Sequence, residues 1–556
     1  MYRILNFTKN KKIVDLFYFI LIAYISYFYY SIHFGLYEDD YWSIACGYNL
    51  TFKNLTKHFV YIFANWPTGR PLNHFIPLLL GYISKYTGIH ALYVFGSLIL
   101  GLNTYLVFKI STHITDRHVG ILSSFIFLFY PCDTTRQLLV HIGHVQSAYT
   151  CILLAIYIYI KYPVYNKYSY ILATICLLMY ETPILLFILF PLLELANKST
   201  NIRKLIIHFI KCLSICIVIL LLRKLLSDTR TLNLLSDPKL LLGKSIYSCY
   251  AGPLTIIKSY INAIILGSQK VVIESFIALV LMVLFKYKYF IHAKNLNFTY
   301  LYYLILLFII SVSYTLTWVN FPPTQLTGRF TTTHLVASFP ISLLIALMIN
   351  NIQIINKYIR YFTYISLFII SITLINYSFI VQKSYIKSWE IQKNFWNQVF
   401  HLCPDIDETK TVMVIGSIDE SNKYSVIMSN SWADYYACRS FIESKNSVDN
   451  EPGLNFGFIG AVPEVLNFVI NENHEIVSWA PRFWEQYSKN ILYNNLPYVN
   501  IKPDKLIILI SNKGVLRRVF DININLNNSY IKLHSISDKS SQNVRFSKLY
   551  KELFVK

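Results

Sequence analysis

The sequence predicts a polytopic α-helical membrane protein of about 11 transmembrane helices, followed by a C-terminal extracytoplasmic α/β domain. Three observations lead to this prediction. The 556 residues are 55% hydrophobic and only 14% charged, which is far more apolar than an ordinary soluble protein. Apolar runs close to the thickness of a bilayer recur through the first two thirds of the chain. The last third has an ordinary mixture of both charges.

The first apolar run, 13–34, is 22 residues long and directly follows a cluster of lysines. At about 1.5 Å per residue, it can cross a hydrocarbon core of about 30 Å. No small-residue cleavage pattern follows it, so we expect a retained anchor and a cytoplasmic N-terminus. Ten further runs lie at 90–110, 118–130, 145–162, 168–180, 183–196, 204–224, 271–287, 299–318, 335–350 and 359–381.

The loop charges give these runs an orientation. With a cytoplasmic N-terminus, the inner loops are short and basic, at 109–117, 161–167, 198–204, 286–294 and 357–360. This distribution agrees with the positive-inside rule. An odd number of spans then places everything after residue 379 outside, and we expect an integral protein of a bacterial plasma membrane.

Composition divides the chain into a membrane module, 1–381, and an extracytoplasmic domain, 382–556. The second part carries 20 Lys+Arg against 18 Asp+Glu, so nearly all of the net charge of +21 belongs to the membrane module. The basicity therefore follows from membrane topology, and we expect no nucleic-acid partner. In the second part, 411–418 and 505–512 are predicted strands and 384–400 is a predicted helix.

The cysteines indicate core positions rather than a metal site, because none has the spacing of a metal-ligand set. Cys403 and Cys438 fall in the extracytoplasmic domain, where an oxidising compartment allows either a disulfide or two thiols. The four cysteines expected in the membrane core are Cys151, Cys176, Cys212 and Cys216.

Three acids, Glu38, Asp39 and Asp40, stand side by side just after the first span, in "FGLYEDDYWSI". Adjacent carboxylates at a low-dielectric boundary repel each other, so one holds a proton more tightly or requires a cationic partner. Such a group is suited to act as a general base. The alternative is a solvated acidic end of the helix.

Other ionisable residues fall in loops of the same predicted outer side. Isolated ionisable groups at membrane depth cost about 2.5 to 3.5 kcal/mol or more, so a concentration of them on one side predicts a shared polar cavity. These residues are Arg70, His74, Asp133, Arg136, His141, His144, Glu181, Arg329 and His334.

The order of these features resembles the GT-C superfamily of integral membrane glycosyltransferases, in particular its protein O-mannosyltransferase-like and lipid-A aminoarabinose-transferase-like branches. The resemblance covers residues 1–381. It rests on the acidic pair Asp39 and Asp40, "RPL" at 70–72, the loop starting at Pro131, "YETPILLFILFPLLELA" at 180–196 and "GRF…H…FPISLLIAL" at 328–347. Members of this superfamily transfer a sugar carried on a polyprenyl phosphate or diphosphate. Tyr180 is a departure, because related enzymes often have lysine there.

The resemblance implies that Asp39 or Asp40 is the catalytic base and that Arg329 meets the lipid phosphate. We expect Asp39 to be the base, since the earlier acid usually has this role in the related branches and adjacent helical side chains diverge by about 100°. Asp40 is then expected to position the loop or to pair with Arg70 or Arg136, which are also candidates for binding the phosphate. No cofactor is expected, although the acidic pair could hold Mg²⁺ or Mn²⁺.

The expected function is therefore transfer of a sugar from a polyprenyl-phosphate-linked donor to a glycan, lipid or protein acceptor at the outer face of the bilayer. The alternative is a lipid or polysaccharide transporter, or a polymerase-like membrane protein, without glycosyl transfer. Transporters tend to show repeat symmetry or broken, charged helices at the bilayer midplane. The sequence shows neither clearly.

Overall fold

Helices account for most of the first 400 residues of the chain, and all the strands among the described residues come after them. A computed structural model describes residues 11–66, 69–196, 202–226, 238–269, 273–288, 300–317, 322–407, 410–416, 431–443, 455–459, 468–470, 476–478, 499–500, 506–526, 529–534 and 544–555.

The helices of the membrane module are α1 Lys11–Ala23, α2 Phe52–Asn65, α3 Pro71–Thr87, α4 Ile89–Ile114, α5 Arg117–Leu128, α6 Ser147–Lys161, α7 Asn166–Met179, α8 Ile184–Leu189, α9 Pro191–Ala196, α10 Ile202–Leu225, α11 Pro238–Ser268, α12 Ile273–Lys288, α13 Tyr300–Ser313, α14 Leu335–Ile355 and α15 Lys357–Leu402. The C-terminal elements are β1 Thr411–Ile415, α16 Ser431–Phe441, β2 Asn455–Ile459, β3 Phe468–Ile470, β4 Ile476–Ser478, β5 Val499–Asn500, β6 Leu506–Asn512, β7 Val515–Val519, β8 Asp521–Leu526, β9 Ser529–His534 and α17 Lys548–Phe554.

Seven helical segments among the described residues are long and apolar enough to cross a bilayer, and four shorter apolar helices have 10–17 residues. The chain is thus a helical integral membrane protein, as its composition predicts. The count of eleven spans stays a prediction, because several predicted spans are short helices here. The seven segments are Ile13–His33, Ile89–Ile114, Leu139–Lys161, Ile202–Leu225, Lys239–Ser268, Arg329–Ile355 and Lys357–Leu402.

One long helix lies where the sequence predicts no span. Helix α11 has 31 residues and fills the interval between the seventh and eighth predicted runs. Lys244, Lys258 and an internal Pro253 interrupt its apolar pattern, which hides it from a search for continuous apolar runs. Its buried side packs on α13 and α15. Isoleucines and leucines on its other side are exposed, as expected of a helix that faces lipid.

The acidic segment lies at one end of the bundle, which we call the site end. Helix α1 continues through a π-helical turn, Tyr24–Phe28, and the chain then turns across this end before α2 begins. Near the opposite end of α1, buried Asp15 lies 3.7 Å from Arg117 at the start of α5. This ion pair ties two neighbouring helices together far from the acidic segment.

Helix α15 connects the bundle to the C-terminal domain. It runs without interruption for 46 residues, about 69 Å at 1.5 Å per residue, and passes straight through position 381. The predicted helix 384–400 is therefore its last part. At its end, buried Asp405 accepts two hydrogen bonds from Arg518 on β7, at 2.6 and 3.0 Å, which fixes the helix to the sheet.

The central sheet of the C-terminal domain has the strand order β2-β1-β6-β7, with β1 parallel to both of its neighbours. Strands β1 and β6 correspond to the predicted strands 411–418 and 505–512. Their nearly continuous burial is typical of parallel strands covered on both faces. Cys403 and Cys438 are both buried thiols, so the disulfide that the sequence left open is not formed.

Candidate active site

The three acids lie in a tight turn that directs Glu38 and Asp39 to one arginine and Asp40 to main-chain amides. Glu38 has a φ of +46°, in the left-handed region that residues other than glycine rarely adopt. The next residues begin a helical turn, because the amides of Tyr41 and Ser43 donate to the carbonyls of Glu38 and Asp39. Strained backbone of this kind is concentrated at functional sites.

Asp39 forms an ion pair with Arg329, a residue 290 positions later in the chain. The Arg329 guanidinium also lies 3.5 Å from the Glu38 carboxylate, so it faces two acids. Side-chain exposure is 13% for Asp39 and 21% for Arg329, which leaves the pair partly accessible. The structure thus brings the predicted base and the predicted phosphate-binding cation into direct contact.

Arg329 is held at this place by its own turn. It begins the 3₁₀ helix Arg329–His334, directly after Gly328, whose φ of +84° suits glycine. Thr134 secures this turn, since its hydroxyl accepts from the Gly328 amide at 3.1 Å and its own amide donates to the Thr331 hydroxyl at 3.0 Å. The loop after α5 therefore positions the arginine.

Asp40 is fully buried and has a different role from Asp39. Its carboxylate accepts hydrogen bonds from the amides of Val140, at 2.7 Å, and Tyr37, at 3.1 Å. Burial raises the pKa of Asp40 to about 8, although these amides oppose the shift by stabilising the charged form. Asp40 fixes the acidic turn to the 138–146 segment, as the loop-positioning alternative expects.

A second charged cluster joins Arg70, Glu181 and Arg223. Glu181 forms an ion pair with Arg70, and its other oxygen lies 3.6 Å from Arg223. Burial alone would raise the pKa of Glu181, but the charges of Arg70 and Arg223 outweigh it and lower the pKa to about 2. The Arg70 guanidinium also lies 5.0 Å from the centre of the Tyr180 ring. Two cations around one acid leave this cluster with a net positive charge.

Histidine and aromatic rings lie between the two charged clusters. The ring of His144 is 5.5 Å from that of His141 and 6.1 Å from that of Tyr180. His141 and Tyr180 both interact electrostatically with Arg329. His74, buried beside the acidic turn, has its ring 5.1 Å from that of Trp42. The predicted residues 74, 141 and 144 thus accompany Asp39 and Arg329.

Three other predicted site residues, Arg136, Asp133 and His334, form hydrogen bonds within the loops and helices that surround the charged clusters. Arg136 is fully buried and donates to main-chain carbonyls of 127–130, and its hydrogen bonds to the described residues do not reach the Asp39–Arg329 pair or Asp40. Asp133 accepts from the Thr135 hydroxyl at 2.6 Å and from the side-chain amide of Gln146, just before α6, at 3.0 Å. The His334 ring accepts a hydrogen bond from the Tyr314 hydroxyl at 2.9 Å. The pairing of Asp40 with Arg70 or Arg136 that the sequence allowed is replaced by the amide contacts above.

The C-terminal helix α17 braces the acidic segment from the other side. Glu552 accepts a hydrogen bond from the Tyr48 hydroxyl at 2.7 Å and another from the Ile89 amide, the first of α4, at 2.8 Å. The Trp389 ring covers Gly35 so closely that a Cβ there would lie 2.0 Å from it. Segment 35–49 is thus enclosed by α15 and α17.

Sequence reasoning missed two contributors to the charged clusters. Arg223 lies in the last turn of the predicted run 204–224, where the sequence predicts only a membrane span, although ionisable residues within membrane segments usually pair with a polar partner. Glu38 was not assigned a role, and nothing in its spacing distinguishes it from its two acidic neighbours. Among the described residues, no group of three or more His, Cys, Asp or Glu side chains is arranged to hold a metal ion.

Comparison of the chain with protein-family models and with curated proteins finds no match. Function is therefore inferred from the chemistry of these residues.

Proposed function

We propose that the chain is a membrane glycosyltransferase that moves a sugar from a polyprenyl-phosphate-linked donor to an acceptor hydroxyl. The observation that carries the proposal is the contact between Asp39 and Arg329 in a helical membrane protein. It joins a proton acceptor and an anion-binding cation, which are the two groups that the reaction requires.

The transfer step is a single displacement at the anomeric carbon. The acceptor oxygen attacks this carbon, and the bond to the phosphate oxygen breaks with its electron pair leaving on the phosphate. Asp39 takes the acceptor proton, and Arg329 stabilises the charge that develops on the departing polyprenyl phosphate. One displacement inverts the configuration of the sugar.

The contact between base and cation also predicts the order of binding. Without donor, Arg329 neutralises Asp39 and makes it a weaker base. A donor phosphate competes with Asp39 for Arg329 and releases the carboxylate for the acceptor. Arg70, in its positively charged cluster with Glu181 and Arg223, adds to the attraction of this region for an anion.

The proposal places the site at the extracytoplasmic face of a bacterial plasma membrane, with a cytoplasmic N-terminus. The support is the basic character of the predicted inner loops. A lipid-linked donor stays in the bilayer, which suits a site at one end of the bundle. Reporter fusions after residues 44 and 407 should both report the extracytoplasmic side, and a cytoplasmic signal from either would overturn this orientation.

The activity is tested with purified protein in nanodiscs, polyprenyl-phosphate-linked sugars, and membrane lipid and glycan extracts as acceptors. Wild-type protein should transfer the sugar and release polyprenyl phosphate, whereas Asp39→Asn protein should transfer about 10² to 10⁴-fold more slowly. Equal rates in the two proteins would refute the role of Asp39. Donor binding or movement across the bilayer without transfer would favour the transporter alternative.

A further inference from the structure

Two buried polar side chains in the candidate site are not explained by the roles given so far. The Nδ1 atom of His141 and the hydroxyl of Thr332 have no hydrogen-bond partner within the part of the chain that the structure describes. Both side chains are more than nine-tenths buried. Because buried polar groups in proteins are nearly always hydrogen-bonded, such atoms at a site are available to a ligand or to an ordered water.

Thr332 lies on the same side of its turn as the phosphate-binding candidate. A 3₁₀ helix has three residues per turn, so Thr332 is directly in line with Arg329. The neighbouring hydroxyls are already used, since Thr331 donates to the Gly328 carbonyl at 2.7 Å and Thr333 donates to the Phe330 carbonyl at 2.9 Å. Thr332 is therefore the threonine of this turn that is available to a ligand at Arg329.

His141 differs from the nearby His144 in the same way, because the Nδ1 atom of His144 is hydrogen-bonded and that of His141 is not, within the described residues. The His144 ring donates from Nδ1 to the Val140 carbonyl, which fixes its orientation. His141 lies one turn earlier, interacts electrostatically with Arg329, and keeps its own Nδ1 unused by the described residues. An imidazole and a hydroxyl thus lie close to the cation that faces Asp39.

The chemistry of this pair selects a ligand that is neutral and carries hydroxyl groups. A threonine hydroxyl and an imidazole both accept or donate hydrogen bonds but supply no fixed charge, so they complement hydroxyls better than a phosphate. The phosphate already has Arg329. On the basis of the proposed function, we propose that His141 and Thr332 bind hydroxyl groups of the transferred sugar. They would thereby select polyprenyl phosphates that carry a sugar over those that do not.

The test compares a lipid phosphate with and without its sugar, undecaprenyl phosphate mannose or glucose against undecaprenyl phosphate, for binding to the full chain in nanodiscs. His141→Ala and Thr332→Val should each weaken binding of the sugar-bearing lipid about tenfold and leave binding of the bare lipid unchanged. Thr333→Val is the matched control, because its hydroxyl bonds within its own turn, and should alter neither affinity. Arg329→Ala should weaken both lipids.

Two results would overturn the assignment. One is an equal loss of affinity for both lipids in the His141 and Thr332 variants, which would mean that these residues bind the phosphate or only support the fold. The other is unchanged binding of the sugar-bearing lipid. A wild-type protein that binds neither lipid would instead refute the proposed function itself, and the two failures are thereby distinguished.

Discussion

Replacing Asp39 with asparagine should have opposite effects on binding and on transfer. In the structure Asp39 occupies Arg329, with side-chain exposures of 13% and 21%. Such a pair is intermediate between an exposed ion pair, which contributes up to about 1 kcal/mol, and a buried one, in which removal of one partner costs about 3 to 5 kcal/mol because the other charge is left uncompensated. Removing the negative charge should therefore favour binding of an anionic lipid phosphate by about 1.5 to 2 kcal/mol, or about 10- to 30-fold. Transfer should fall at the same time, because the proton acceptor is gone.

The measurement is binding of radiolabelled undecaprenyl phosphate to protein in nanodiscs at low salt, beside the transfer assay. Asp40→Asn is the matched control, since this carboxylate accepts from the amides of Val140 and Tyr37, and it should leave affinity near that of wild type. Arg329→Ala should lose binding, and Arg329→Lys should recover only part, because a point charge does not replace the planar fork. Unchanged or weaker lipid binding by folded Asp39→Asn protein would refute competition between Asp39 and the phosphate.

Three further outcomes follow from the charges around the site. Glu181→Gln leaves two buried arginines without their counter-charge and should lower stability by about 3 to 5 kcal/mol in detergent. The folded pKa of Glu181 is about 2, so the stability that this group gives the wild-type protein should be lost only as pH falls from 4.5 towards 2. An acid unfolding transition that is the same in Glu181→Gln and wild type would contradict the pairing of Glu181 with the two arginines. Asp40 has the opposite sign. With a folded pKa of about 8, its contribution to stability is complete below pH 3.8 and is lost as pH rises through 8. Asp40→Asn should therefore flatten the fall in stability between pH 3.8 and 8, and parallel curves for the two proteins over this range would contradict the burial argument. Glu552→Ala should speed hydrogen exchange in peptide 35–49 about tenfold, because the hydrogen bonds from Tyr48 and Ile89 are lost. Lys551→Ala, on the exposed side of the same helix, is the control and should not change the exchange. Equal exchange in the two variants would show that Glu552 does not stabilise this segment.

Hydrophobic periodicity identified most of the bundle because long apolar runs have few alternatives to a membrane helix. It failed for α11, where Lys244, Lys258 and Pro253 break the run although the helix packs against α13 and α15. It also divided α15 at residue 381, since the composition changes there while the backbone hydrogen bonds continue to residue 402. Composition reports the surroundings of a helix, whereas its length depends on uninterrupted backbone bonding and on the neighbours that cover it.

The sequence by itself determined that the chain is a helical membrane protein, that a small α/β domain follows, and that charged residues gather in a few loops. These features depend on local composition and on the hydrophobic periodicity of short segments, which can be read directly from the sequence. Only the tertiary structure decided how the charges are paired: Asp39 with Arg329, Glu181 with Arg70 and Arg223, and Asp40 with main-chain amides. The ion-paired residues are separated by 42 to 290 positions in sequence, and Asp40 lies 100 positions from Val140, so their pairing depends on helix packing. The physical reason is that a buried charge takes whichever partner the packed helices bring within reach, and no local pattern in the chain specifies that partner.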